Sequence, residues 1–224
     1  ANGHIPIVVG GTGFYIQALL YDIDFTGTAQ DDTYRAELEN LVKEKGAVYL
    51  HNMLRKVDPK SAEDIHANNV KRVIRALEYY RQTGQKMSEH NEEERRKESP
   101  YEFVYFVLNA PREQLYARID RRVDQMIEEG LVDEVKHLKE LGCTKEMVSM
   151  QGLGYKEILA YLDGEYDLST AVYTIKRDTR HFAKRQLTWF RRERQVTWIQ
   201  KEVYDYDEDR ILKAMLSHLE GKIC

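Results

Sequence analysis

The hydrophobic and polar positions divide the chain into three kinds of segment. The first is short and continuous. Residues Ile5 to Val9 run without a charged or hydrogen-bonding side chain into Gly10-Gly11-Thr12-Gly13. An apolar run of this length, bounded by a glycine turn, reads as a buried strand, and the following FYIQALL reads as a helix. The second kind is periodic and extends over residues 31–98. Leu38, Leu41 and Val42, then Leu50, Met53, Leu54 and Val57, recur at helical spacing. Ser61-Ala62-Glu63-Asp64 resembles a capping box. Val70, Val73, Ile74, Leu77 and Tyr80 form a stripe that stops at Thr83-Gly84. The charged stretch NEEERRKES, residues 91–99, reads as a solvated linker.

The third kind opens with YEFVYFVLN. Its aromatic and β-branched content predicts a strand over 103–108 buried on both faces. Helices are predicted over 111–129, 131–141, 154–163 and 168–192, the first two closed by Gly130 and Gly142. A last strand over 195–199 precedes a C-terminal helix from about 207. The strands at 5–9 and 103–108 are separated by the helical block over 31–98. Two such strands do not make a stable sheet alone, so the core reads as incomplete.

Composition narrows the class. The chain has 224 residues, 42% hydrophobic and 32% charged, which suits a globular protein with a real core. No apolar run approaches the roughly 20 residues of a membrane helix, no signal-peptide pattern is present, and no membrane association is expected. The two cysteines, Cys143 and Cys224, form neither a disulfide framework nor a metal-type spacing. A reducing, cytoplasmic setting fits. The net charge of −4 hides a local excess: residues 176, 177, 180, 184, 185, 191, 192 and 194 are basic, against acidic residues 178 and 193. That points to an anionic partner at one face.

Several stretches could carry chemistry. Gly10-Gly11-Thr12-Gly13 ahead of a helix suits close approach to an anion, although the spacing fits neither GxGxxG nor the P-loop. The glycines alone read more readily as a tight turn without a ligand. Arg118 and Arg122 share a helix face, and such a pair suits a diphosphate, because guanidinium grips phosphate oxygens in a fork. The plainer reading pairs them with Asp120 and Asp124. Lys71, Arg72 and Arg75 lie on the polar side of their helix. Arg177, Arg180, Lys184 and Arg191 form a rail interleaved with Phe182, Trp189 and Phe190, a mixture that suits RNA backbone and unstacked bases. For Trp189, core packing and RNA contact fit equally. Met150-Gln151-Gly152-Leu153-Gly154-Tyr155-Lys156 offers a weaker anion site or a plain loop. No metal-ligand motif stands out.

Taken in order, IPIVVGGTGFYIQALL, VDPKSAEDIHANNVKRVIRALE, RIDRRVDQMIEEGLVDEV, QGLGYKEI and TRHFAKRQLTWFRR resemble the bacterial tRNA dimethylallyltransferase (tRNA isopentenyltransferase) family over nearly the whole chain. The resemblance implies a nucleotide-binding, P-loop-kinase-like α/β fold: a parallel sheet core over residues 1–24 and 100–224, with the strands at 5–9 and 103–108 in one interrupted sheet, and an all-helical insertion domain over 25–99. It implies transfer of a dimethylallyl group from dimethylallyl diphosphate to the exocyclic amine of the adenosine 3′ of the tRNA anticodon, assisted by Mg2+. Arg122 falls on the arginine that meets the diphosphate, with Arg118 beside it, and Thr12 falls near the reacting adenine. Contact with the anticodon stem-loop is implied for Thr12, Arg35, Lys71, Arg72 and Arg75. The same holds for Gln151, Gly152, Leu153, Gly154, Tyr155 and Lys156, and for Arg180, Lys184, Arg185, Gln186, Thr188, Trp189 and Arg191. A monomer is expected. Gln151 and Lys156 depart from relatives that carry arginine. The family's P-loop and its aspartate base have no counterpart in these residues, so residues 1–224 alone are expected to be inactive. A mononucleotide-specific prenyltransferase, a non-catalytic RNA-binding module and a P-loop kinase relative are the competing readings.

Overall fold

The computed structural model describes residues 4–23 and 32–220. The expected domain boundary near residue 25 and Cys224 lie outside the described residues. The chain separates into two compact units: residues 1–8 with 14–102, and residues 9–13 with 103–224.

The first unit is helical. After α1 (Gly13–Tyr21) come α2 (Asp32–Lys45), α3 (Ala47–Val57), α4 (Pro59–Asp64), α5 (Val70–Thr83) and α6 (Met87–Arg96). The periodic apolar positions meet in one core of Leu38, Leu50, Leu54, Ala62, Val73, Ile74, Ala76 and Leu77. Gly84 closes α5 in the left-handed conformation (φ 71°), the freedom its lack of a Cβ allows. Two expectations are corrected here. The cap of α4 is Asp58, not Ser61: the Asp58 carboxylate accepts from the Ser61 amide at 3.0 Å, with Pro59 at the first helical position. Of the charged stretch 91–99, residues 91–96 are helix rather than linker, belonging to α6. Asp58 also accepts from the Ser88 amide at 2.9 Å and the Ser88 hydroxyl at 2.6 Å, which fixes the start of α6. Glu92 then bridges to Arg96 on its own helix and to Lys60 on α4.

The second unit holds two parallel strands, β1 (Tyr105–Asn109) and β2 (Val196–Gln200), paired from Tyr105↔Val196 to Asn109↔Gln200. Parallel pairing demands a long crossover. It is supplied by α7 (Arg112–Glu128), α8 (Leu131–Glu140), a 3-10 turn (Val148–Gln151), α9 (Tyr155–Leu162) and α10 (Leu168–Phe190). A second 3-10 turn (Lys201–Tyr204) leads to α11 (Glu208–Glu220). Val123, Leu131, Val135, Met150, Ile158, Leu159, Ala171 and Ile175 form the helical core.

The strand expected at residues 5–9 is not formed. Ile5, Ile7, Val8 and Val9 are exposed coil. A strand needs a neighbour, and β1 pairs with β2 instead. β1 is also not buried on both faces: Tyr105 and Val107 are buried, while Leu108 is 51% exposed.

Candidate active site and nucleic-acid interface

α10 organises the second unit. Asp167 caps it by accepting from the Thr170 amide at 2.7 Å. Ala171, Ile175, Ala183 and Phe190 are its buried residues, so the remaining faces can present cations. In its first half those cations are engaged. Lys176 lies 2.5 Å from Asp124, and Arg177 donates to Asp178 at 2.8 Å. Arg180 donates through Nη1 to both carboxylate oxygens of Asp120, at 2.7 and 2.8 Å. The rail is therefore not uniformly uncompensated, as its local sequence suggests. The counter-charges of Lys176 and Arg180 come from α7, that of Arg177 from α10 itself, and Arg180 serves to hold α7.

The free positive charge is displaced to the other end. Lys184, Arg185, Arg191, Arg192 and Arg194 are exposed and make no ion pair among the described residues. Arg185 lies 5.7 Å from the Phe182 ring centroid. The one carboxyl in this stretch, Glu193, is pushed by burial above the ordinary carboxylate range, against a hydrogen bond from Trp189.

The glycine turn docks on this same end of α10. Gln186 donates to the Gly11 carbonyl at 2.7 Å. A Cβ on Gly11 would come within 2.5 Å of Gln186 Nε2, and one on Gly13 within 2.1 Å of Trp189 Cδ1. Neither glycine has a positive φ. Gly13 is required because the turn presses on the Trp189 ring, whereas at Gly11 the flexible end of Gln186 could shift to admit a Cβ. Nothing in the structure explains Gly10, around which a Cβ would meet open space. Thr12 is exposed between these two contacts, immediately ahead of α1. Trp189 is half-buried against Gly13, and the Thr188 hydroxyl turns back to the Lys184 carbonyl at 2.9 Å.

On α7, Arg118, Arg121 and Arg122 are all exposed, with no ion pair among the described residues. The neutralisation of Arg118 and Arg122 by Asp120 and Asp124 does not occur, since those carboxylates face α10. Arg118 lines a cleft together with Arg121, and Arg122 is not among the residues lining it.

The 151–156 stretch is a helix start. Gly154 is buried, in the left-handed region at φ 100°, and its amide donates to the buried Glu157 carboxylate at 2.8 Å. Tyr155 bonds through its hydroxyl to Glu134, and Lys156 lies 3.2 Å from Glu157. Gln151 and Gly152 are exposed and Leu153 is half-buried. Glu157 was not singled out by the sequence reading, although a carboxylate three residues after a helix-start residue is the capping pattern.

In the helical unit, Lys71 and Arg72 are exposed without an ion pair among the described residues, and Arg75 is exposed one turn on. Arg35 is different. Its Nε and Nη2 donate to the two oxygens of buried Glu78 at 2.9 and 2.8 Å. That fork ties α2 to α5.

Among the described residues no group of three or more His, Cys, Asp or Glu side chains could hold a metal ion. They offer no carboxylate cluster to hold Mg2+. No helix among them is long and apolar enough to cross a membrane.

The IPP transferase family pattern matches residues 1–193. This chain belongs to the IPP transferase family. It is 58% identical over 222 residues to a tRNA dimethylallyltransferase of Lachnoclostridium phytofermentans, covering 99% of this chain and 71% of that protein. Among solved structures, a tRNA isopentenylpyrophosphate transferase of Staphylococcus epidermidis matches with a TM-score of 0.61 at 37% identity, over 98% of this chain and 70% of that one. A eukaryotic dimethylallyltransferase acting on tRNA matches with a TM-score of 0.71 at 29% identity, over 95% of this chain and 56% of that one. The α/β core and helical unit are thus those of an IPP transferase. Within this family member, the structure gathers Thr12, Gln186 and Trp189 at one end of α10, beside Lys184, Arg185 and Arg191.

Proposed function

We propose that this protein transfers a dimethylallyl group from dimethylallyl diphosphate to the N6 amine of the adenosine adjacent to the tRNA anticodon on its 3′ side. In this reaction the amine nitrogen forms a bond to the allylic carbon. The carbon–oxygen bond breaks, its electron pair leaves with diphosphate, and the amine loses a proton. Negative charge therefore grows on the leaving group. An arginine without a protein counter-ion, such as Arg122, suits that charge, and its role is electrostatic. Arg118 is the second candidate for diphosphate contact.

The observation that carries the acceptor assignment is the joint position of the Thr12 turn and the uncompensated cations on one end of α10. A phosphodiester backbone would be held by Lys184, Arg185 and Arg191. The target base, turned out of the anticodon loop, would then meet Thr12, as in enzymes that extrude a base before modifying it. Lys71, Arg72 and Arg75 supply a second cationic face for the same RNA. Arg35, Arg180, Gly154 and Trp189 act in this reading as supports of the elements that touch RNA. Mg2+ would accompany the diphosphate as substrate counter-ion, and a monomeric, cytoplasmic enzyme fits the composition.

The test compares acceptors. Full-length protein is incubated with dimethylallyl diphosphate and either AMP or an anticodon stem-loop, and prenylated product is quantified by mass spectrometry. The reading predicts modification of the stem-loop far in excess of AMP. Preference for AMP would assign the protein to mononucleotide prenylation instead.

A further inference from the structure

The stretch that opens α9 is ill suited to phosphate, yet it keeps one polar side chain unused. We infer that the turn Val148–Gln151 reads an unpaired nucleobase: the Gln151 amide hydrogen-bonds to the edge of the base, and Val148 packs against its face. The base is one of the anticodon loop other than the one modified, and the inference rests on the assignment of RNA as the acceptor.

Charge is the first reason. Residues 151–157 carry one cation, Lys156, and one anion, Glu157. The Lys156 ammonium lies 3.2 Å from Glu157 Oε1. The Glu157 carboxylate is 3% exposed and accepts from the Gly154 amide, so it fills the place at the start of α9 that an anionic ligand would need. Glu134, bonded to the Tyr155 hydroxyl, adds a second negative charge. A phosphate here would face two carboxylates and one cation that is already engaged. The far end of α10 is the reverse, since Lys184, Arg185 and Arg191 make no ion pair among the described residues.

The unused group is the second reason. Gln151 is exposed, and its side-chain amide makes no hydrogen bond among the described residues. It offers a donor and an acceptor side by side without charge, and the edge of an unstacked base offers the complementary pair. Its polar neighbours Tyr155 and Lys156 are engaged within the protein.

Placement is the third. In a 3-10 turn, side chains three residues apart lie on one edge, so Val148 and Gln151 stand together. Val148 is 86% exposed. An apolar surface beside a free amide suits the face and the edge of one base. The turn is pinned on both sides. Met150, 2% exposed, belongs to the helical core, and Gly154 is held at φ 100° under the Glu157 cap. The amide is therefore presented on a preorganised element, which lowers the ordering cost of binding.

Fluorescence anisotropy with full-length protein tests it, using an anticodon stem-loop and a series in which each unpaired base other than the target is made abasic in turn. Wild type should bind the intact loop about tenfold more tightly than the loop lacking the base that is read. Gln151→Ala should lose about that factor on the intact loop, and the penalty at that one position should vanish. Val148→Ala should reduce the same penalty in part. The slope of log affinity against log salt should be unchanged in Gln151→Ala and in Lys156→Gln, whereas Lys184→Ala should lower it by about 1. If the penalty at every position is the same in Gln151→Ala as in wild type, or if Lys156→Gln lowers the slope, the inference is overturned while RNA stands as the acceptor. Failure of wild type to bind any stem-loop would remove the RNA reading itself, and this inference with it.

Discussion

A methyl group on Gly13 would sit 2.1 Å from Cδ1 of Trp189, a distance no packed structure tolerates. Gly13→Ala should therefore push the turn off α10 and destabilise the protein by about 1–3 kcal/mol, the usual range for overpacking. Because the clash is with one side chain, Trp189→Leu should recover part of the loss. A double-mutant cycle read by urea denaturation would show this as strong non-additivity, and simple additivity would refute the contact. Asp58 works by a different mechanism. Burial alone would raise its pKa, but hydrogen bonds from Ser61 and Ser88 outweigh burial and hold it below the ordinary aspartate range. A depressed carboxylate stabilises the fold fully above its unfolded pKa and loses that contribution as pH falls through the folded value. Asp58→Asn should cost about 1–3 kcal/mol at pH 7. The gap between wild type and variant should shrink steadily below about pH 4. A gap that stays constant from pH 7 to pH 2.5 would show that the ionised form is not what matters.

At the scale of elements, α10 does two jobs at two ends. Arg180 and Gln186 are six residues apart, roughly 9 Å along the axis, so the α7 clamp and the glycine turn are distinct patches. Removing a cation from the clamp and removing one from the free end should therefore differ. Lys184→Ala combined with Arg191→Ala should lower the slope of log affinity against log salt for an anticodon stem-loop by up to about 2, with little change in melting temperature. An unchanged slope would mean that neither side chain meets phosphate. Arg180→Ala should instead lower stability first. This division could not be read from the sequence, where eight basic residues form one continuous run. Periodicity located α5, α7 and α10 to within a few residues, because their burial is set by neighbours on the same helix. It failed where partners are distant in the chain: Asp120 and Asp124 facing α10, Asp58 fixing α6, and the pairing of β1 with β2 rather than with Ile5 to Val9, which are coil. The glycine turn shows both sides of this. Its importance was legible in GGTG, but its cause, close packing on Gln186 and Trp189, required the fold.

For the whole molecule, family membership and the geometry of α10 converge on prenyl transfer to tRNA. The two units carry separate cationic sets, Lys71, Arg72 and Arg75 in one and Lys184, Arg185 and Arg191 in the other. One extended anionic partner accounts for both more simply than a mononucleotide does. The central claim is that Arg122 serves departure of diphosphate while an amine of RNA held by these cations attacks. Its most direct test is single-turnover prenyl transfer from dimethylallyl diphosphate to an anticodon stem-loop by the full-length protein, beside its Arg122→Ala variant at saturating RNA. The account predicts efficient transfer by wild type, and a drop on the order of a hundredfold in the variant with stem-loop affinity preserved. Transfer by Arg122→Ala at the wild-type rate, or none by wild type, would contradict it.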